Sequence, residues 1–429
     1  MTPSLDVTGR TICLCDINSA YVAMETVFRP EVAQKPCVVL SSNDGNCVAR
    51  GELAKKMGIK MGQPWHELQG LHARGELEVF SSNYALYHCM SNRFNAVLRQ
   101  HSPLCTEYSV DESWLVPPAE RNLEPWGHAL RADVLKKTGL PIGVGIGVSL
   151  TSAKLASWAA KTWARGTGNV VDVRLPGRLE KLLKLAPVRE VWGIGGRLAA
   201  RLEADHGVRT AWDLVCVERR LLRRHYGVLV ESTARELCGE WCFSPDEGPE
   251  HQQQIRASQA FGRRIYDYDT IASAVASHVA RAAAKLRRQN ASAQSIKVNI
   301  STSHFSRQGE PYSASAGTAF STPLSDSRDL TQAALNILRH IYREGPAYAR
   351  AGVLLGDLTG DRYRCDDLFA PAERPGSRQV MSVVDQLNER MGRGTVRFGR
   401  ETASPGWEMR QSLLSPRYTT RWEDLPRAR

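Results

Sequence analysis

The sequence lacks the features of a secreted, membrane-spanning or zinc-binding protein. No uninterrupted apolar run is long enough to cross a bilayer, and residues 1–10 have no apolar core of the kind that a signal peptide needs. The ten cysteines are scattered without a Cys-x-x-Cys pair, and only Cys238 and Cys242 have even a loosely metal-like spacing. Histidine pairs with ligand spacing are also missing. We therefore expect a reduced, cytoplasmic protein without a membrane anchor or a zinc site.

Acidic residues are too few to balance the basic ones. The formal net charge is +11, because 56 Lys and Arg stand against 45 Asp and Glu. Between Arg256 and Arg307 nine basic residues face two acidic ones. An excess of this size favours a polyanionic partner, with nucleic acid first and an acidic membrane surface second.

The chain of 429 residues is long enough for several domains. Strands and helices alternate without a regular βαβ repeat up to about residue 185, which favours an α+β domain. Short helices follow Pro187, and residues 244–254 have the composition of a linker. A second α+β module is predicted over 256–358, and the polar, Arg-rich stretch from 360 onward is expected to have little core of its own.

One short stretch near the start carries an unusual charge. An apolar run from Ile12 to Cys15 reads as a buried strand and ends at Asp16, where a carboxylate is costly unless a positive charge meets it. A second acidic pair, Asp111 and Glu112, lies at the turn of a predicted strand–turn–strand over 104–116. Three convergent carboxylates would repel each other unless cations such as two Mg²⁺ ions, about 3.5–4 Å apart, lay between them. An Asp-Glu pair in a turn is also ordinary surface, and spacing alone leaves that alternative open.

Other patterns have structural interpretations. Apolar and aromatic residues over 84–98 recur at helical spacing and predict a core face, and residues 47–58 predict a helix that carries Lys55. The glycine-rich run 143–147 lacks the Gly-Lys-Ser/Thr ending of a phosphate loop, so we predict a strand whose glycines permit close packing. By themselves, Lys55 and Lys161 are better explained as solvated lysines on helix surfaces.

Several motifs, in this order, resemble the Y-family translesion DNA polymerases. They are Leu-Cys-Asp-Ile-Asn-Ser-Ala-Tyr at 14–21, Phe-Ser-Ser-Asn-Tyr at 80–84, Tyr-Ser-Val-Asp-Glu at 108–112 and Val-Trp-Gly-Ile-Gly at 191–195. Ser-Arg-Asp at 327–329, Arg-Pro-Gly-Ser at 374–377, Gly-Arg-Gly-Thr at 392–395 and Leu-Ser-Pro-Arg-Tyr-Thr-Thr-Arg at 414–421 resemble the UmuC branch of that family. The likeness runs from about Thr11 to Arg421. Each motif alone is weak, but the ordered set is highly specific.

The resemblance implies an α+β right-hand polymerase with an added little finger. The expected domains are a palm at 10–185 with fingers inserted at about 22–82, a helical thumb with a helix-hairpin-helix at 186–243, a little-finger DNA-binding domain at 255–358, and a partner-binding tail at 359–429. The activity implied is error-prone, template-directed DNA synthesis past damaged bases in the SOS response.

The resemblance also implies roles for individual residues. Asp16, Asp111 and Glu112 would be catalytic and would hold two Mg²⁺ ions together with the Ile17 carbonyl. Tyr21 falls at the position of the steric gate that excludes ribonucleotides, and Lys55 and Lys161 fall at triphosphate-binding positions. The expected DNA contacts are Gly193, Gly195 and Arg197 in the thumb and Arg263, Arg264 and Lys297 in the little finger.

The implied partners are primer-template DNA, dNTPs, a processed UmuD-like dimer, RecA and a sliding clamp. Three parts of the chain depart from the family pattern. Only Leu368 and Phe369 remain of the clamp-binding peptide, which predicts weak clamp binding. Leu150 stands where the family often has a basic residue, Gly51 and Glu52 depart from the usual residues after Arg50, and Glu52 would place a negative charge near the triphosphate.

Two alternatives remain open at this point. One is a catalytically weak or inactive relative that recruits other polymerases to DNA. The other is a two-metal nuclease, which fits the carboxylates and the charge but not the position of Tyr21.

Overall fold

The computed structural model describes residues 10–245, 252–303, 311–360, 374–402 and 406–425. The chain divides into two compact units. The first contains Met1–Ser41, Gly45–Gly248 and Leu413–Arg429, and the second contains Ser42–Asp44 and Pro249–Ser412. Across these described ranges, no helix combines the length and the apolar character needed to span a membrane.

The first unit contains eight described strands and twelve described α-helices. The strands are β1 Ile12–Ile17, β2 Cys37–Leu40, β3 Cys47–Arg50, β4 Glu78–Ser81, β5 Cys105–Glu107, β6 Glu112–Leu115, β7 Ile142–Gly147 and β8 Val170–Asp172. The helices are α1 Ala20–Thr26, α2 Glu52–Lys56, α3 Trp65–Ala73, α4 Tyr84–His101, α5 Glu124–Thr138, α6 Leu150–Thr162, α7 Ala164–Thr167, α8 Arg178–Leu185, α9 Gly196–His206, α10 Ala211–Cys216, α11 Arg219–Tyr226 and α12 Val228–Leu237. Short 3₁₀ helices lie at Pro30–Val32, Val188–Glu190 and Trp422–Asp424.

A five-stranded sheet in the order β5-β6-β1-β7-β8 is the centre of this unit. Strand β1 is the middle strand and pairs antiparallel with both β6 and β7. Its side chains alternate between two apolar clusters, as the period of two along a strand requires. Cys13, Cys15 and Ile17 face the core that contains α4 and α5, whereas Ile12 and Leu14 face α6. Position 16 therefore lies on the same face of the sheet as α6.

Helix α6 packs closely on β7 because β7 has glycine where the helix crosses it. A Cβ atom on Gly145 would lie 2.2 Å from the Ser157 backbone nitrogen and 2.3 Å from the Ala153 carbonyl oxygen. No side chain can occupy such a space, so glycine is required there for close approach. The prediction of a strand with packing glycines over 143–147 is confirmed.

A smaller sheet in the order β3-β2-β4 packs against α2 and α3. The sequence prediction of one helix over 47–58 is wrong, because Cys47–Arg50 is a strand and the helix covers only Glu52–Lys56. Cys47 and Ala49 are buried while Val48 and Arg50 are half-buried, and the strand pairs with β2. Pairing with a buried neighbouring strand overrides the local helix preference at this position.

Five short helices, α8 to α12, follow the sheet and share one apolar cluster with α6. A buried carboxylate, Glu236 of α12, connects them to the start of α6. Its Oε2 atom accepts hydrogen bonds from the Thr151 amide (2.8 Å) and hydroxyl (2.7 Å), and its Oε1 atom accepts from the amides of Cys242 (3.2 Å) and Phe243 (2.9 Å). Four donors satisfy this buried charge, so we assign Glu236 a structural role.

The second unit is an antiparallel sheet covered by helices on one face. Its elements are β9 Gln254–Ile265, α13 Tyr268–Arg288, β10 Ala291–Thr302, β11 Ser313–Leu324, α14 Ser327–Ile341, β12 Tyr348–Gly360 and α15 Ser377–Met391, with a 3₁₀ helix at Ser42–Asp44. The strand order is β11-β10-β12-β9. Ile296, Val298 and Ile300 face the apolar core shared with α13 and α14, which leaves the other face of β10 open.

Candidate active site

Two of the three predicted catalytic carboxylates lie directly opposite each other in the five-stranded sheet. Asp16 of β1 is the register partner of Glu112 of β6. Asp111 immediately precedes β6, and its carbonyl oxygen accepts a hydrogen bond from the Ile17 amide at 2.9 Å. Residues directly opposite in an antiparallel pair project to the same face. The fold therefore brings Asp16, Asp111 and Glu112 to one end of one pair of strands, although 95 positions separate the two parts of the chain.

Two lysines of α6 meet these carboxylates. Lys161 forms an ion pair with Asp16, and Lys154 forms an ion pair with Glu112 at 2.8 Å. The two lysines are seven residues apart, which is two helical turns, so both project from the face of α6 that covers the sheet. Gly143 of β7 is the register partner of Asp16, and the aliphatic part of Lys161 crosses it. A Cβ atom on Gly143 would lie only 3.1 Å from Lys161 Cγ, so glycine leaves room for the lysine.

The electrostatics of Asp16 show that the three carboxylates interact. Burial raises the pKa of Asp16 to about 6, the Lys161 ammonium lowers it, and the charges of Glu112 and Asp111 raise it. Crowded carboxylates of this kind favour a bound cation, and carboxylate and carbonyl oxygens are the ligands that Mg²⁺ prefers. The donor chemistry therefore fits a divalent metal.

The side chains as they stand do not form a closed metal cluster. In the part of the chain that the structure describes, no three His, Cys, Asp or Glu side chains converge tightly enough to hold a metal ion. The ammonium groups of Lys154 and Lys161 occupy the oxygens of Glu112 and Asp16 instead. A metal would have to compete with these ion pairs.

The turn that carries Asp111 and Glu112 is held by Ser109. The Ser109 hydroxyl donates to Asp111 Oδ1 at 2.6 Å and accepts from the Glu112 amide at 3.1 Å. Lys154 Nζ also lies 4.7 Å from the ring centroid of Tyr108 and 5.8 Å from that of Trp192. These contacts fix the acidic turn between α6 and the segment that leads into α9.

Tyr21 lies beside the carboxylates in the first turn of α1. Its ring stacks on Tyr87 of α4 with centroids 4.4 Å apart and an interplanar angle of 12°, and Tyr84 meets it edge-on at 6.2 Å. Burial is the main cause that raises the pKa of the Tyr21 phenol, and the charges of Tyr84 and Asp111 raise it further. The charge of Asp111 therefore reaches the phenol of the predicted steric gate.

The second predicted triphosphate lysine, Lys55 of α2, also reaches this region. Its ammonium donates to the Ser19 hydroxyl at 3.3 Å, two residues before Tyr21, and to Glu52 at 2.5 Å. Glu52, a departure from the family pattern, is thus paired with Lys55 rather than left as an isolated negative charge. Because both side chains are exposed, this pair is weak and can exchange for a phosphate.

The predicted thumb contacts lie in the turn before α9 and in the first turn of that helix. Gly193 has φ of +83°, a conformation that favours glycine, and Gly195 caps α9. Ile194 between them is buried, whereas Gly193, Gly195 and Arg197 are exposed. The free amides at the start of α9 and the Arg197 side chain therefore face solvent, as phosphate binding requires.

In the second unit, the predicted DNA contacts lie on strands with their side chains exposed. Arg263 and Arg264 lie near the end of β9, and Lys297 lies on the open face of β10. Lys297 is in register with Leu354 of β12, which is in turn in register with Arg256 of β9. Two basic side chains thus share one row across the open face of the sheet.

Sequence reasoning missed part of the site. Lys154 was not assigned a role, although its spacing of seven from Lys161 was a usable signal. Tyr87 was interpreted only as core, and nothing local predicts its stacking on Tyr21. Leu150 is buried with Ile12, Leu14 and Trp114 rather than facing the carboxylates. Leu368 and Phe369 lie outside the described residues, so the structure does not bear on the clamp motif.

Comparison with family models covers most of the chain. The model described as the impB/mucB/samB family matches residues 15–158, and the model of that family's C-terminal domain matches residues 252–368. A domain of unknown function matches residues 378–428.

Individual relatives extend the likeness over nearly the full length. Protein UmuC of Salmonella typhimurium (strain LT2) is 42% identical over 97% of this chain and 99% of its own length. DNA polymerase IV of Moorella thermoacetica is 26% identical over 90% of this chain and 94% of its own. Among solved structures, a Y-family DNA polymerase chimera superimposes with a TM-score of 0.62 at 18% identity, covering 82% of this chain and 99% of that one. The expected right-hand polymerase fold with a little finger is confirmed.

Proposed function

The chain belongs to the impB/mucB/samB family of Y-family DNA polymerases, and on that premise we propose that it extends primers past damaged bases during the SOS response. The reaction is error-prone, template-directed nucleotidyl transfer. The observation that carries the proposal is the register of Asp16 opposite Glu112, with Asp111 in the adjoining turn and Tyr21 beside it.

We propose that Asp16, Asp111 and Glu112, with the Ile17 carbonyl, hold two Mg²⁺ ions. Ions bound there would supply charge neutralisation for the nucleotide phosphates and would favour ionisation of the primer hydroxyl. The carboxylates fix the position at which these charges meet, because Asp16 and Glu112 lie on paired strands of the central sheet and Asp111 lies in the turn that directly precedes one of them. Ser109 holds the Asp111 carboxylate in place.

The lysines would bind the triphosphate. Lys55 is paired with Glu52 and Lys161 with Asp16, and each can exchange its carboxylate for a phosphate oxygen. Arrival of the nucleotide would then draw Lys161 away from Asp16 and leave that carboxylate open to a metal. Tyr21 would lie beneath the sugar and exclude a 2′-hydroxyl by contact.

DNA would be bound through its backbone. We propose that 10–185 forms the palm with fingers at about 22–82, that 186–243 forms the thumb, and that 255–358 forms the little finger. The exposed turn at Gly193, Gly195 and Arg197, together with Arg263, Arg264 and Lys297, would contact phosphates without reading sequence. Because its template would be DNA, we propose that the protein acts in the cytoplasm.

Three further partners belong to the same proposal. These are a processed UmuD-like dimer, RecA and a sliding clamp, the last through Leu368 and Phe369. The identity of 42% with UmuC over nearly the whole chain supports the first two. The tail at 359–429 would be the partner-binding segment.

The alternative of an inactive recruitment subunit is not favoured. All three carboxylates are retained and brought to the same end of the sheet, whereas a non-catalytic relative has no need of them. The two departures from the family pattern are accounted for, Leu150 by burial and Glu52 by its ion pair with Lys55.

Primer extension on a template with a single abasic site tests the proposal. The full chain is assayed with Mg²⁺ and dNTPs, with and without processed UmuD and activated RecA. Extension past the lesion is expected at least in the presence of the partners. DNA binding without incorporation under every condition would support the recruitment subunit, and release of short products without dNTPs would indicate a nuclease.

A further inference from the structure

The steric-gate ring of Tyr21 lies on a second tyrosine. Tyr87 of α4 stacks beneath it at 4.4 Å, with the two rings nearly parallel. Tyr87 is buried, whereas Tyr21 is only half-buried. A buried ring in parallel contact is a platform that limits how far the more exposed ring can tilt or sink.

Tyr87 is itself held by a buried glutamate. Its hydroxyl donates to Glu25 Oε1 at 2.7 Å, and Glu25 lies on α1 one turn after Tyr21. The Glu25 side chain is fully buried. Burial raises its pKa to about 7, while the hydroxyls of Tyr87 and Ser415 and the charge of Arg29 act to lower it. A buried polar group with such partners fixes the orientation of the ring that it binds.

The C-terminal segment, residues 413–425, packs near Tyr87 although it lies more than 300 positions further along the chain. Asn83, which caps α4, donates to the Ser415 hydroxyl at 2.9 Å and to the Ser415 carbonyl at 3.3 Å. Ser81 and Leu413 exchange hydrogen bonds through the Ser81 amide (2.9 Å) and hydroxyl (3.0 Å). Tyr418 stacks on Phe28 at 4.8 Å. The segment is thus attached to β4, to the start of α4 and to the loop after α1.

We propose that Tyr87 is a positioning residue for Tyr21. Glu25 and Ser415 of the C-terminal segment hold Tyr87 in place. Docking of this segment therefore sets how strictly the site excludes ribonucleotides. The inference rests on the proposed function, since it concerns the same nucleotide site. Its physical basis is three sets of contacts: the hydrogen bonds of Ser415 with Asn83 at the start of the helix that carries Tyr87, the hydrogen bond from Tyr87 to Glu25, and the stacking of Tyr87 on Tyr21.

The first test measures sugar selectivity, defined as the ratio of kcat/KM for a dNTP to that for the matching rNTP. Tyr87→Leu removes the platform and should lower this ratio about two- to tenfold, the range expected for the loss of one aromatic pair. Tyr87→Phe keeps the ring and should lower it less. Phe94→Leu is the matched control, because Phe94 is a fully buried aromatic residue two turns along the same helix and should leave the ratio unchanged.

The tail is tested in the same assay. Ser415→Ala should lower the selectivity in the direction of Tyr87→Leu, whereas Thr420→Ala, which removes an exposed hydroxyl from the same segment, should not. Adding Tyr87→Leu to Tyr21→Ala should cause no further loss, because the platform acts only through Tyr21. Unchanged selectivity in Tyr87→Leu and Ser415→Ala would overturn the proposal.

A second measurement needs no catalysis. The urea midpoint of unfolding is compared among Tyr21→Ala, Tyr87→Leu and the double variant. Coupled rings predict a shift in the double variant smaller than the sum of the single shifts, and additive shifts would refute the coupling. If the wild-type chain incorporates no dNTP, the proposed function fails, and the positioning proposal then stands or falls on this cycle.

Discussion

Replacing Glu25 with glutamine should make the stability of the first unit less dependent on pH. Glutamine keeps the size of the side chain and an oxygen that accepts from the Tyr87 hydroxyl, but it cannot ionise. In the wild-type chain the pKa of Glu25 is about 7 when folded, against an ordinary value of 4.5. The native state therefore keeps a proton that the unfolded chain has already released over this range.

The direction and size of the effect follow from that difference. Because the native pKa is raised, the stabilisation is fully present below about pH 4.5 and is lost as the pH rises through 7. A difference of this size corresponds to about 3 kcal/mol in total, of which about 2 to 3 kcal/mol falls between pH 5 and pH 8. The free energy of unfolding of Glu25→Gln should rise by that amount relative to wild type across the same interval.

Urea denaturation followed by tryptophan fluorescence at pH 5, 6, 7 and 8 measures this difference. Glu31→Gln is the control, since the Arg29 side chain lowers the pKa of this exposed glutamate and its titration lies below the range measured. The difference between Glu31→Gln and wild type should stay flat. A flat difference for Glu25→Gln as well would show that Glu25 is not held in its neutral form, and the reasoning from its burial would be wrong.

Three further substitutions test other parts of the structure. Gly145→Ala should lower the free energy of unfolding by about 1–3 kcal/mol or more, because the added Cβ overlaps the α6 backbone. Gly166→Ala is the control and should leave the free energy of unfolding unchanged, because the space around Gly166 is open. Thermal unfolding measures both. Glu236→Ala should cost about 3 kcal/mol or more in the same assay, since it leaves buried donors of Thr151, Cys242 and Phe243 unpaired. Lys297→Ala should weaken binding to duplex DNA and reduce the slope of log affinity against log salt by about 1 in fluorescence anisotropy, while Lys285→Ala on α13 should leave that slope unchanged.

Much of the fold could be predicted because its signals are local. The apolar run that ends at Asp16, the helical spacing over 84–98 and the glycines of β7 each reflect a period or a packing need that neighbouring residues reveal. The strand at Cys47–Arg50 could not be predicted in this way. Its conformation depends on pairing with Cys37–Leu40, and the sequence around Lys55 favours a helix without that neighbour.

The site was predictable only where residue type and motif coincide. Asp16, Asp111 and Glu112 stand at strand ends, and their proximity follows once the two strands pair. The ion pairs of Lys154 and Lys161 depend on which face of α6 meets the sheet. That face is the one that approaches β7 closely at Gly145. The contact between Asn83 and Ser415 spans 332 positions, and no local pattern carries such information.

Single-nucleotide incorporation by Asp111→Asn tests the central claim most directly. The variant keeps the shape of the side chain and removes its charge, and Glu107→Gln in the same hairpin, an exposed glutamate paired with Arg99, is the matched control. Incorporation opposite undamaged and abasic templates is followed under single-turnover conditions with Mg²⁺. We predict that Asp111→Asn loses incorporation on both templates by at least about a hundredfold, as expected when charge stabilisation is removed from a transition state, while Glu107→Gln retains it. Wild-type rates in Asp111→Asn would contradict the assignment of the carboxylates as the catalytic centre.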